Sequence, residues 1–419
     1  MTYLRACLLP VIVLVLGTTT SAQTPRASAA LVQALASNNL QAVRAAVAAG
    51  RAALGGQAGV PEVADTYLPV PKDKPLFTAE EARRGFAPMS DRLEKERWWI
   101  VGADPAKLTA PLRGPASVMT GYAAAFRAKL DGAERNLERA QEAAEFLMWA
   151  QQQAGSGGFP FPAARGTSKA RAMEVAARFL AKAEKEGKLA QVVRNGWAFD
   201  DLGDGGLQFD NGECGAAMFE LYEVTQDPRH LASARKAAGW ALACPLCPNW
   251  NYNSFSVWLL AKAYGVTGEA KYLEAALHKA RLGVIPGQLT DGPRAGRWVD
   301  PHNARPAYHY IMMRALAQLV AVIPNGYPAR AEILSALKLG LQARNAEIIN
   351  RGVMNKDKAL EALLLVNRAF AADAAFLQKT HSAEALHALG VFVSEETRRG
   401  KMPLSPGEWG RFLEFVVAR

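Results

Sequence analysis

The chain has 419 residues, 50% hydrophobic and 21% charged, which supplies a large core and excludes general disorder. Its formal net charge of +10 fits an acidic polymer or an anionic surface. Lys and Arg are spread along the chain rather than massed in one tract, which argues against nucleic acid as the partner.

Met1–Arg5 carries one positive charge, Leu8–Leu16 is an apolar run, and Thr20-Ser21-Ala22 offers small residues for cleavage. This is the pattern of a secretory signal peptide over residues 1–22, so the mature protein is expected to be secreted or periplasmic. No later segment is long and apolar enough for a membrane span. Residues 23–115 read as an N-terminal helix or helical pair (Ala29–Leu54) and an irregular arm. In that arm, prolines at 61, 69, 71, 75 and 88 leave room for short helices at most, and Trp98 and Trp99 are expected as buried anchors.

Residues 116–419 read as a domain of helical hairpins. The periodicity predicts helices over Ser117–Leu130, Ala133–Gln153, Ser168–Glu186, Cys214–Val224, Pro228–Leu242, Asn253–Tyr264, Ala270–Leu282, Ala304–Val322, Ala329–Asn350, Lys356–Phe376 and Ser382–Leu389. Strand signals are nearly absent. An internal repeat supports the hairpins: the segment from Val224 to Leu231, followed by Ala234, recurs 42 residues later from Val266 to Leu273, followed by Ala276. Each copy ends one helix, turns through Thr-x-Asp/Glu, and begins the next with an aromatic ring or His before Leu. The acid lies where it can cap the new helix. A period near 40 with two helices per unit predicts an all-α ring or stack of hairpins: an α/α toroid or incomplete ring with an irregular N-terminal arm.

Cys7 leaves with the signal, so Cys214, Cys244 and Cys247 remain. No second CxxC and no suitable His pair completes a zinc set with Cys244-Pro245-Leu246-Cys247. A structural bridge is expected, within the CxxC or from Cys214 to one of the pair.

Three stretches carry candidate chemistry. The first, Trp197–Asn211, places Asp200, Asp201, Asp204 and Asp210 among glycines, with Glu213 just beyond. Glycoside hydrolysis needs one protonated and one ionised carboxyl, and Asp201, Asp204 and Asp210 are the candidates, with Trp197 and Phe209 as stacking faces. Read as an EF-hand the loop fails, because Leu202 occupies a ligand position and Asn211 replaces the terminal Glu. No metal ligand is assigned and no cofactor is certain, though calcium remains possible.

The second stretch, Asp291–Tyr310, gathers Arg294, Arg297, Arg305, Trp298, Asp300, His302, Tyr308 and His309. β-Elimination on a uronic acid needs cations for the carboxylate, a base for the C5 proton and an acid at the leaving oxygen. Arg294, Arg297 and Arg305 supply the first, with Trp298 beside them; His302, His309 and Tyr308 are the proton-transfer candidates. The third stretch, Pro248–Phe255, alternates Asn with aromatic residues, and Trp250 and Tyr252 offer a sugar platform.

The turns "GVTGEAKYLEAA" and "EVTQDPRHLASA" resemble hairpin turns of the α/α-toroid (six-hairpin) carbohydrate-active enzymes. The passage "FLMWAQQQAGSGGFPFP", followed by "FDNGECGAAMFELYEV", is similar in layout to toroid-type pectate lyases. The resemblance covers Ala133–Pro324 and implies the toroid fold and a carbohydrate substrate. It places neither the arginine base nor the calcium-binding acids of that family onto this chain. The expected function is an exported polysaccharide-degrading enzyme, either a lyase on a uronic-acid polymer or a glycoside hydrolase. A non-catalytic exported toroid that binds glycan or protein is the alternative.

Overall fold

The computed structural model describes residues 29–53, 67–97, 99, 112–130, 132–162, 180–187, 193–194, 197–198, 205–300, 302–354 and 356–417. Helices α1 (Ala29–Ala36) and α2 (Leu40–Ala53) form an N-terminal hairpin. Helices α3 (Ala79–Glu96), α4 (Arg113–Arg127) and α5 (Ala133–Ala154) follow. The two-residue strands β1 (Phe161–Pro162), β2 (Val193–Arg194) and β3 (Trp197–Ala198) pair antiparallel in the order β1-β3-β2. Helical hairpins then continue through α6 (Gly206–Thr225), α7 (Pro228–Ala243), α8 (Trp250–Thr267), α9 (Ala270–Gly283), α10 (Pro306–Val322) and α11 (Arg330–Asn350). The chain finishes with α12 (Lys356–Ala369), α13 (Ala374–Lys379), α14 (Ser382–Arg398) and α15 (Pro406–Val417).

Among the described residues, α4, α6, α8, α10, α12 and α15 pack side by side in a closed inner ring. Each is backed by an outer helix: α5, α7, α9, α11, α14 and α3 respectively. The layering follows from composition. Inner helices such as α8 bury apolar and small residues on nearly every side, from Trp250 to Ala263. Outer helices bury a single stripe, as α3 does through Ala82, Phe86, Met89 and Leu93.

The sixth hairpin joins the two ends of the chain. Helix α3, from the region expected to be irregular, is the outer partner of the C-terminal α15, so the toroid is complete rather than partial. Pro88 inside α3 removes one backbone hydrogen bond, and two features offset that loss. A capping box sets the start: Thr78 Oγ1 accepts from Glu81 N at 3.2 Å, and Glu81 Oε2 accepts from Thr78 N at 2.9 Å. The buried stripe then packs against the ring. Trp99 is buried, as expected of an anchor, while Trp98 lies outside the described residues.

The repeat has a common hydrogen-bond pattern. Thr225 Oγ1 donates to Leu221 O and Thr267 Oγ1 to Ala263 O, at 3.0 and 2.8 Å. Gln226 N and Gly268 N, both in left-handed conformation, donate to the carbonyls of Tyr222 and Tyr264. Asp227 caps α7 through Arg229 N, whereas Glu269 makes no such cap and pairs with Lys271 and Arg235. The expected Lys356–Phe376 helix is broken after Ala369, and Asp373 caps the short α13 through Phe376 N. Helix α14 runs on from Leu389 to Arg398, and α15 is an addition to the expected set. Most of the expected Ser168–Glu186 helix lies outside the described residues. No helix among the described residues is long and apolar enough to cross a membrane.

Candidate active site

The six inner helices run parallel, because matching ends meet. Arg113 in the first turn of α4 lies over Phe209 in the first turn of α6. Phe209 stacks on Phe255 near the start of α8 at 4.3 Å between centroids. Asn251, also near the start of α8, donates its backbone N–H to Oδ1 of Asn303 just ahead of α10, at 3.1 Å. The opposite, C-terminal turns of α6, α8, α10 and α12 line a cavity of about 360 Å³. Its Lys262 and Glu223 are paired with each other at 2.8 Å. The residues with proton-transfer chemistry stand at the N-terminal mouth.

Gly205, in left-handed conformation, lets α6 begin there. A Cβ at this position would sit 2.3 Å from Cys247 Sγ, so only glycine fits. One turn on, Asp210 is 3% exposed, and its Oδ1 has no hydrogen-bond partner among the described residues. The guanidinium of Arg113 lies 3.6 Å from that oxygen. Burial pushes the Asp210 carboxyl above its ordinary value of 3.8, against the pull of Arg113 and with the help of Glu213. Asp210 therefore belongs to a helix rather than to the expected glycine-rich loop.

Across the mouth, His302 stacks on Tyr308 at 4.3 Å and 24°. Arg305 hydrogen-bonds Tyr308, and the charge of Arg113 also reaches it. Burial raises the Tyr308 phenol, opposed by both arginines. Burial lowers the His302 imidazole, with Asp300 opposing and Arg305 reinforcing. Near neutrality the pair is a proton-bearing phenol and a neutral imidazole. A chain of hydrogen bonds runs beside it: Asp300 Oδ1 accepts from Asn303 Nδ2 at 3.0 Å, Asn303 Oδ1 from Asn251 Nδ2 at 2.9 Å, and Asn249 Oδ1 from Asn251 Nδ2 at 2.7 Å.

Below the mouth lies a charged floor. Glu213 accepts from Arg314 and Lys358 at 3.2 and 3.1 Å. Arg314 also donates to Glu361 at 2.6 Å and lies 3.5 Å over the Trp258 ring. Arg411 bridges Glu361 and Glu220. Burial alone would raise the Glu361 carboxyl; Arg314, Arg411 and Lys358 outweigh it and hold it well below the usual carboxylate range. Lys358 is held well above the usual amine range by Glu213, Glu361 and Glu408 against its own burial.

Several expected site residues are structural instead. His309 is 0% exposed, with Nε2 on the Gly340 carbonyl at 2.9 Å. Trp298 is equally buried, donates from Nε1 to Val284 O at 3.0 Å and meets His309 edge-on. Arg297 turns outward to Glu347 at 2.7 Å, a carboxylate that also binds Arg344 and Tyr67. Arg294 is half-buried in the turn of the same loop, whose neighbour Asp291 pairs with Arg51 of α2 at 2.8 Å. Trp250 is 2% exposed and packs on Gly287, so it presents no platform; Tyr252 is half-buried beside Gly205. Asn251 and Asn253 are buried and hydrogen-bonded within the fold.

Trp197 lies in β3, and Asp201 and Asp204 lie outside the described residues. Cys214, Cys244 and Cys247 form no disulfide among the described residues, so the expected bridge is absent. Cys247 Sγ instead lies among Gln208 Nε2, Asn253 Oδ1 and the Asn249 carbonyl. No group of three or more His, Cys, Asp or Glu among the described residues is placed to hold a metal ion.

No protein-family model matches the chain, and no curated protein is similar to it in sequence. Among solved structures it is similar to a glycosyl hydrolase family 88 protein from Bacteroides vulgatus, at 12% identity and a TM-score of 0.51. That match covers 81% of this chain and 98% of the other. It is also similar to a polysaccharide lyase at 14% identity and a TM-score of 0.49, covering 81% and 96%. The fold is the α/α toroid that the hairpin motifs resembled.

Proposed function

We propose that the chain degrades an acidic polysaccharide at the N-terminal mouth of its ring, by β-elimination at a uronic acid. The observation that carries this reading is the grouping at the mouth of the buried Asp210 carboxyl, raised above its ordinary value, with the His302–Tyr308 stack, the charge of Arg113 reaching both Asp210 and Tyr308. Six parallel helices direct their N-termini there. Each terminus acts as about half a positive charge, which favours an anionic ligand. The carbohydrate-active name of a protein with the same fold supports the substrate class.

In this reading neutral His302 takes the C5 proton, and the released electron pair forms the C4–C5 double bond. The C4–O bond breaks, and its oxygen takes a proton from Tyr308. Arg305 holds the Tyr308 phenol, and the helix N-termini stabilise the charge that develops on the uronate carboxylate. A second reading, hydrolysis, is favoured by the raised Asp210 carboxyl, which suits a general acid. Its second carboxyl would come from Asp201 or Asp204. Trp197 and Tyr252 remain proposed stacking faces for sugar rings in both. Residues 1–22, read as an export signal, put this work outside the cytoplasm.

The test is a screen of the purified protein on polyuronates and neutral glycans, with and without calcium. Unsaturated-product absorbance together with new reducing ends supports elimination. Reducing ends alone support hydrolysis, and neither signal supports the non-catalytic binding toroid.

A further inference from the structure

We infer that Arg113 selects the substrate: it takes up a carboxylate carried by the sugar and releases Asp210 in doing so. The inference rests on the proposed reading that the mouth receives a polysaccharide. It concerns a residue at the very start of an Ala-rich helix, where a cation has no local reason to be. Position 113 opens α4, and the partial positive charge of a helix N-terminus disfavours a cation there.

The geometry supplies the reason. The Arg113 guanidinium lies 4.2 Å over the Phe209 ring, and Phe209 is itself stacked on Phe255, so the plane of the guanidinium is fixed before any ligand arrives. Its carboxylate neighbour, Asp210, is 3.6 Å away, longer than a charge-assisted hydrogen bond of about 2.7–2.9 Å. The facing Oδ1 accepts no hydrogen bond among the described residues, although it is almost wholly buried. The pair is thus close but unmade.

The other mouth and floor arginines are committed. Arg305 holds Tyr308, and Arg314 is shared between Glu213 and Glu361. A uronate carboxylate offers two oxygens to the fork of Arg113, which Asp210 does not engage. Burial already pushes the Asp210 carboxyl upward, and losing its cation pushes it further the same way, towards the neutral form. Asp210 is then free to present its proton to the bound sugar.

The test measures binding and cleavage separately. Calorimetry would follow wild type, Arg113→Gln and Arg113→Lys with polygalacturonate, alginate and glucuronan. Each polymer would be paired with its carboxyl-reduced counterpart, and thermal melts would check the fold. The expected result is a wild-type preference for the carboxylated polymer. That preference falls roughly ten- to a hundredfold in Arg113→Gln and by less in Arg113→Lys, which keeps the charge but not the fork. If Arg113→Gln does not fold, a reduced preference in Arg113→Lys is the supporting result. A wild type that prefers carboxylated polymers, with that preference intact in both variants, overturns the role of Arg113 and leaves the proposed function standing. Cleavage of carboxylated and reduced polymers alike overturns both the role of Arg113 and the elimination reading, since a reduced polymer has no carboxylate to acidify its C5 proton. A wild type that neither binds nor cleaves any of the polymers overturns both.

Discussion

Trp409 donates its indole N–H to the carbonyl of Gly85 at 3.2 Å, fastening the last helix of the chain to the first helix of the ring. The contact exists because residue 85 has no side chain: a Cβ there would lie 2.9 Å from the Trp409 ring. The closing hairpin of the ring therefore depends on one close approach. Gly85→Ala is expected to destabilise the protein by about 1–3 kcal/mol, the usual effect of overpacking, with the helical content of the folded state retained. A thermal melt followed by circular dichroism checks this; an unchanged midpoint would show that the sixth hairpin does not hold the ring shut.

Asp210→Asn separates the two readings while the protein stays folded: hydrolysis predicts a loss of about 10²–10⁴-fold, the range for losing a general acid, and elimination, whose acid is Tyr308, predicts a smaller one. The same variant changes the dependence of stability on pH. The folded carboxyl is raised above its ordinary 3.8, so its contribution is complete below that value. It is lost as pH rises through the higher folded value. The melting temperature of Asp210→Asn should therefore gain on wild type as pH rises above about 4. A constant difference across that range would place Asp210 in water.

The His302 imidazole is lowered from 6.5, so it is already neutral at that pH. The acid limb of kcat/KM is expected to have its midpoint below 6.5. His302→Gln should remove that limb and lower kcat by about 10²–10⁴-fold. Tyr308→Phe should lower kcat comparably and leave the acid limb in place, since the phenol titrates above its ordinary range. A pH–rate profile of the three proteins separates the two roles.

Glu361→Gln removes the carboxylate shared by Arg314 and Arg411 under the mouth. Breaking a buried pair from one side costs about 3–5 kcal/mol, because a charge is left behind without compensation. Glu220 is lowered to about 2 by Arg411, Lys262 and Arg127, which outweigh its burial, and Glu361 is also held low. Their stabilisation is full above about 4.5 and disappears as pH falls towards 2. Wild type should lose stability steeply across that window and Glu361→Gln less steeply. Melts between pH 2 and 6 measure the slopes.

The architecture was legible where local chemistry repeats. Thr225 and Thr267 make the same bond in the same turn, and residues 42 positions apart betray it. Helix α3 was hidden by Pro88, whose lost hydrogen bond is compensated by packing against α15, at the far end of the chain. His302, Tyr308 and Asp210 stood out in the sequence because acids, His and Tyr crowd around Gly and Pro there, and the mouth brings His302 and Tyr308 together.

His309, Trp298 and Trp250 carry the same chemistry, but sequence does not record which face of a loop turns inward. Arg113 was missed because a cation opening an Ala-rich helix looks like surface. Arg314 and Glu361 each sit in an apolar helical run, and a charge in such a run signals a buried partner. The partner lies 47 residues away, beyond any periodicity.

The central claim is that a carbohydrate enters the ring at the N-terminal mouth and meets Asp210 there. The most direct measurement is a crystal structure of Asp210→Asn soaked with a uronate oligosaccharide. The account predicts a sugar against Asn at position 210 and Tyr308, with its carboxylate on Arg113. A sugar bound only in the cavity of Glu223 and Lys262 at the opposite end, or on the outer helices, would contradict it.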